Sequence, residues 1–215
     1  MKLNKIDIPT WDELFSILVP EWYRDSKFGI YTYWGVYSVP AFSTGRASSD
    51  KYSMTMYIPL PSERRFLGIH EYHVAQYGDL HQFGYKDFLP LWKAERWDPD
   101  YWADLLLESW TRFVELNAEH HDSFPLWSSN YSKWNAAKME PKRDIVAEFE
   151  KCIRFRGLRL LISLNNVRNW RWYKHAYGHI PPFHIEDTRY ARIGGIYPPP
   201  HHPGENLSDE YVRFW

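Results

Sequence analysis

The chain repeats one pattern three times: a short strand-like run, a long loop of polar and aromatic residues, then an amphipathic helix. This order argues for parallel strands, because a parallel pair needs a crossover of a dozen or more residues and a helix is the usual one. The runs lie at 28–37 (FGIYTYWGVY), 112–118 (RFVELNA) and 158–164 (LRLLISL). In the second, Phe113, Glu115 and Asn117 alternate with Val114 and Leu116, the period of a strand with two unlike faces.

The helices carry their own punctuation. A helical region over 86–110 is expected in two pieces, since Asp98-Pro99 reads as an N-cap followed by proline in the first turn. Over 141–156, Ile145, Val146, Phe149 and Ile153 form one apolar stripe, and Gly157 supplies the stop. Ser208 begins a last segment that reads as a helix start with an acidic first turn. A loop with five histidines and several prolines, reaching Leu207, separates the third run from it.

Two α/β architectures use such units. A doubly wound sheet usually has a glycine-rich turn after its first strand, whereas Trp34-Gly35-Val36-Tyr37 offers one glycine among bulky neighbours. A (β/α)8-type barrel puts its functional groups on the loops after the strands, where this chain concentrates His, Trp, Asn and acidic residues. The expected fold is therefore α/β, an incomplete barrel of about its first three units. Residues 1–215 are expected to form one partial barrel domain, with 1–27 as its lead-in segment.

Composition narrows the partners. With 26 Lys+Arg against 27 Asp+Glu the chain is neutral, which disfavours nucleic acid. No apolar stretch approaches membrane-spanning length and the first residues lack a signal-peptide core, so a soluble chain without a membrane partner is expected. Cys152 is the only cysteine, which leaves no intrachain disulfide and suggests a buried thiol. The outlier is the aromatic content, 12 Trp, 16 Tyr and 12 Phe. Trp102 and Trp110 fit helix packing, whereas Trp34, Trp127, Trp134, Trp170 and Trp172 lie in or beside loops, as sugar platforms or as wedges between loops.

Sugar recognition needs hydrogen-bonding side chains for vicinal hydroxyls beside an aromatic platform. Tyr33-Trp34, His120-His121-Asp122, Trp127 and Asn165-Asn166 supply that combination. The histidine pair also suits a metal, but neighbours on an extended segment diverge and no third ligand stands out, so neither metal nor cofactor is expected.

Several segments together resemble the α-L-fucosidases of glycoside hydrolase family 29. They are WYRDSKFGIYTYWGVYSVPAF at 22–42, YHVAQYG at 72–78, FGYKDF at 83–88, AEHHDSFPLW at 118–127, SNYSKWN at 129–135, PKRDIV at 141–146 and SDEY at 208–211. The resemblance implies a catalytic barrel that removes terminal α-L-fucose from glycans with retention. That chemistry requires a carboxylate nucleophile and an acid/base carboxyl about 5 Å apart. The family's motifs for both lie further along than Trp215, and Asp50, Glu115, Glu119 and Asp122 match no nucleophile position, so this chain alone is expected to be inactive.

The same resemblance assigns substrate binding to His120, His121, Trp34, Tyr33 and Asp50. His120 and His121 match the family's sugar-binding pair. Tyr33 stands where the family has histidine, Asp50-Lys51 aligns with its Glu-Trp pair, and Asn165-Asn166 replaces the tyrosines or histidines found after the third strand. These departures keep open an alternative, a non-catalytic carbohydrate-binding relative with altered specificity. A further feature is local charge: residues 142–174 hold nine Lys+Arg and three Asp+Glu, read either as a solvated helix face or as an attractor of sulfated glycans.

Overall fold

The computed structural model describes residues 9–45, 47–59, 68–80, 82–132, 134–165 and 172. Its elements in chain order are α1 (Trp11–Ser16), α2 (Glu21–Ser26), β1 (Gly29–Thr32), α3 (Tyr52–Thr55), α4 (Ile69–Tyr77), α5 (Pro99–Glu108), β2 (Phe113–Glu119), α6 (Ile145–Phe155) and β3 (Arg159–Leu164). Short 3-10 turns occupy Val36–Ser38, Ser49–Lys51 and Tyr85–Leu91. The expected helix at 208–215, Asn166, Trp170 and the histidine-rich third loop lie outside the described residues.

The three strands form one parallel sheet in the order β1-β2-β3, with Gly29 opposite Phe113 and Phe113 opposite Arg159. The fold is α/β as expected, and the strands neighbour one another in sequence order. Gly29 is dictated by closeness, since a Cβ there would stand 2.2 Å from the Phe113 ring.

The strand periodicity sorts residues as the sequence implied. Val114 and Leu116 are buried, and together with Ile30 and Leu160 they belong to the core that includes Ala103 and Leu106 of α5 and Ile145, Phe149 and Ile153 of α6. Burying such aliphatic side chains stabilises the fold by about 1.5–3 kcal/mol each. The opposite face is polar: Ser163 Oγ lies 3.2 Å from Tyr31 Oη and accepts from Asn117 Nδ2 at 3.1 Å.

The helix ends follow their caps. Asp98 accepts from the Tyr101 amide to start α5, with Pro99 in its first turn. Asp144 accepts from the Ala147 amide to start α6, and Gly157 leaves that helix in the left-handed conformation (φ 71°). Cys152 is buried on α6. Trp102 packs against Trp97 and Phe149 as expected of a core helix residue. Trp110 does not: it is 77% exposed, because α5 ends at Glu108 and the left-handed backbone at Trp110 (φ 65°) takes it off the apolar stripe.

Part of the lead-in segment closes the N-terminal edge of the sheet. Trp22 of α2 meets Phe113 edge-on at 6.3 Å, and the Arg159 guanidinium stacks over Trp22 at 4.4 Å. The opposite, C-terminal edge is thus the one left open for a site. Among the described residues no helix is long and apolar enough to cross a membrane.

Candidate functional site at the C-terminal edge of the sheet

The three strands end at Thr32, Glu119 and Leu164, and the residues that follow converge on one cavity. Its volume is about 620 Å³, and its lining includes Tyr33, Asp50, Lys51, His120, His121 and Asn165. Four of the five residues expected to bind substrate therefore come together, from three separate stretches of chain.

His120 is the centre. It is only 4% exposed, with Nε2 3.4 Å from Asp50 Oδ2 on the Ser49–Lys51 turn. Burial alone would raise the Asp50 carboxyl. The hydrogen bonds from His120 and Ser48 and the positive charges of His120 and Lys51 outweigh it, and the pKa falls to about 2. Asp50 is consequently an anion at any ordinary pH, an acceptor for donors in the cavity.

Aromatic rings fix the imidazole. Tyr33 and Tyr37 each approach His120 edge-on at 5.4 Å, and Trp172 does so at 5.5 Å. The Trp172 ring lies 4.5 Å from His121, tilted by 34°, and its indole N–H donates to Ser53 Oγ at 2.7 Å. Asn165 Nδ2 donates to Tyr33 Oη at 3.2 Å, which ties the end of β3 to the end of β1. Two polar atoms of the cavity wall, Tyr37 Oη and His120 Nδ1, are buried without a hydrogen-bond partner. Buried polar atoms normally find one, so both are exceptions at the heart of the site.

Two acids lie beneath this wall. Asp122 is buried and accepts from Tyr85 Oη at 2.7 Å and from the Phe124 amide at 3.3 Å. Burial raises its pKa, against the opposing influence of His120 and these donors. Glu119, 1% exposed, has neither carboxylate oxygen hydrogen-bonded. Burial, with the nearby Asp122 charge, pushes its pKa up to about 9, so it carries a proton at neutral pH.

Trp34 is the one expected binding residue that is not brought to this cavity. It follows Tyr33 directly, and successive residues of an extended chain face opposite sides. Its ring stacks on Trp97 at 5.0 Å instead. Trp134 wedges a loop: it is 6% exposed, and Asn135 Nδ2 donates to the Ser132 carbonyl while its Oδ1 accepts from the Ala137 and Lys138 amides. Tyr37 was absent from the expected set, although it stands in the same YWGVY run as Tyr33. Trp172 was flagged as a loop tryptophan without a place, because its contact with His121 spans 51 residues of chain and has no local signal.

A family model described as Alpha-L-fucosidase matches residues 4–193. An α-L-fucosidase of Dictyostelium discoideum is 35% identical over 153 residues, which cover 71% of this chain and 32% of that protein. The plasma α-L-fucosidase of Homo sapiens is 35% identical over 156 residues, covering 69% and 29%. Among solved structures, a Thermotoga maritima α-fucosidase in complex with fucose superposes with a TM-score of 0.65 at 37% identity, covering 73% of this chain and 37% of that one. The chain thus spans about a third of the length of the curated relatives it matches. With the family model spanning most of its residues, this chain belongs to the α-L-fucosidase family.

Proposed function

We propose that the chain forms the first three units of a (β/α)-barrel wall and supplies the fucose-holding side of a retaining α-L-fucosidase site. The observation that carries this reading is the convergence of Asp50, His120, His121 and Tyr33 on one cavity at the C-terminal edge of a parallel sheet. Asp50 accepts from a sugar hydroxyl, the two imidazoles and the Tyr33 phenol donate or accept, and the buried Trp172 ring stiffens the wall beside His121. Sequential parallel order also suits a barrel wall better than a doubly wound sheet, whose strand order reverses.

Cleavage with retention needs two carboxyl groups flanking the glycosidic bond. Among the described residues that line the cavity, Asp50 is the only carboxylate, and it faces His120. The chain on its own accordingly binds and does not hydrolyse. A chromogenic α-L-fucoside assay tests this: no turnover above buffer is expected, and turnover abolished by Asp50→Asn would refute it.

The alternative of a non-catalytic sugar-binding relative draws support from the Asn165–Tyr33 hydrogen bond, which builds a polar corner from two of the residues that depart from the family pattern. A sulfated substrate would be met by Lys51 in the cavity wall, whereas three described arginines of the basic segment are already paired. There Arg143 pairs with Glu148, Arg154 with Glu150, and Arg156 with Asp100 and Asp104.

A further inference from the structure

His73 does not line the cavity, yet it is fully buried on α4 and joined to the cavity wall through α3. Its Nε2 lies 2.9 Å from the Phe83 carbonyl and its Nδ1 lies 3.0 Å from Tyr52 Oη. A carbonyl only accepts, so Nε2 carries the hydrogen, and in the neutral ring Nδ1 is an acceptor to which the Tyr52 hydroxyl donates. Tyr52 opens α3 directly after Asp50-Lys51, and the next residue, Ser53, accepts from the Trp172 indole at 2.7 Å. Residues 50–53 thus carry both the partner of His120 and the anchor of the ring that packs on His120 and His121.

This pair of hydrogen bonds exists only while the imidazole is neutral. A second proton would go on Nδ1 and point at the Tyr52 hydroxyl, setting donor against donor. The charge would also sit among the rings of Tyr77, Phe83 and Phe88, whose centroids lie 5.3, 6.0 and 5.9 Å from that of His73. Burial accordingly holds the His73 pKa below the ordinary histidine value, and His70 lowers it further, against the Phe83 hydrogen bond and the Asp87 carboxylate. The titratable groups facing it among the described residues are His70 and Tyr77 of α4, Tyr52 of α3 and Asp87 of the Tyr85–Leu91 turn. His70 differs in kind: its Nδ1 donates to the Met56 carbonyl at 2.8 Å, a bond that a protonated ring still makes.

We propose that neutral His73 is a positioning residue for the sugar cavity, clasping α4 to α3 so that Asp50 and Trp172 stay against the histidine pair, and that acid opens this clasp. Because the folded pKa is depressed, the clasp is at full strength above the ordinary histidine value of 6.5 and weakens as pH falls below it. Asp50 cannot be the source of such a response, since it is ionised down to about 2. The proposal rests on the assignment of the cavity to fucose for its ligand and adds a pH gate to that site.

NMR titration of the whole chain from about pH 7.5 to about pH 4.5, a range spanning the ordinary histidine value, follows the His73 ring and the Trp172 indole N–H, with L-fucose affinity measured in parallel. The Trp172 signal is expected to move, and affinity to fall about tenfold, with the midpoint at which His73 itself titrates. His73→Gln substitutes an uncharged amide with a donor for Phe83 and an acceptor for Tyr52. It is expected to bind L-fucose as the unaltered chain does at the upper pH and to abolish both changes at that midpoint, whereas a merely structural role would shift affinity equally at every pH. A His73 ring that stays neutral throughout, a Trp172 signal that stays still or moves with another midpoint, or changes that persist in His73→Gln would each overturn the clasp. The first two are read on the unaltered chain and hold even if the variant fails to fold. If L-fucose binds at no pH, the fucose assignment fails, and the Trp172 signal alone then decides the clasp.

Discussion

His120 Nε2 stands 3.4 Å from Asp50 Oδ2, joining the residue just past β2 to a turn seventy positions earlier in the chain. The contact orients the imidazole and keeps the carboxylate ionised.

Removing the charge while keeping the shape isolates that contribution. Asp50→Asn is expected to weaken L-fucose binding by about tenfold with little change in melting temperature, since a charge-assisted hydrogen bond is replaced by a neutral one. In the complementary His120→Ala protein the Asp50 carboxyl loses the hydrogen bond and charge that hold it at about 2. Carbon-detected titration of Asp50 is expected to show its pKa rising toward the ordinary carboxylate value, and an unchanged value would contradict the pairing.

Glu119 predicts a pH dependence of stability. Its folded pKa of about 9 lies above the ordinary glutamate value of about 4.3. The unfolded chain therefore gives up this proton first, and stability is full below about pH 4.3 and falls as pH rises toward 9. Glu119→Gln removes the proton linkage, and urea denaturation is expected to show it stabilised by several kcal/mol at pH 8 and nearly unchanged at pH 4. Stabilisation of equal size at both pH values would rule out the linkage.

Tyr85→Phe deletes the hydroxyl that donates to the buried Asp122 at 2.7 Å. A cost of about 1–3 kcal/mol is expected, the range for depriving a buried acceptor of a donor. Because Asp122 sits directly after the histidine pair, weaker fucose binding should accompany the loss. A neutral effect on both would mean that the bond does not support the site.

The caps offer a test of the scaffold apart from the site. Asp144 accepts from the Ala147 amide at the start of α6 and from the Ser128 amide of the preceding loop. Asp144→Ala is expected to cost about 1 kcal/mol in denaturant midpoint analysis while leaving sugar affinity intact.

Local signals explain what could be read in the sequence. Strand alternation at Val114 and Leu116, the Asp98-Pro99 start and the Gly157 stop each act within a turn or a pleat, and each stands in the structure where the sequence put it. Trp110 went astray because apolar spacing continues past Glu108 while a left-handed backbone ends the helix. His120 and His121 were recognisable from a run of adjacent residues; the meeting of His121 with Trp172, and of His120 with Tyr37, is tertiary and leaves no spacing to detect. Trp34 separates from Tyr33 for an elementary reason, the alternation of an extended chain, which the shared motif concealed.

The central claim is that one cavity at the C-terminal edge of the sheet holds fucose through the histidine pair. Calorimetric titration of L-fucose into the chain and into a His120→Ala/His121→Ala protein tests it most directly. Saturable binding by the first, reduced at least about a hundredfold in the second, is the predicted result, corresponding to about 2.7 kcal/mol. Equal binding by both proteins, or none by either, would contradict it.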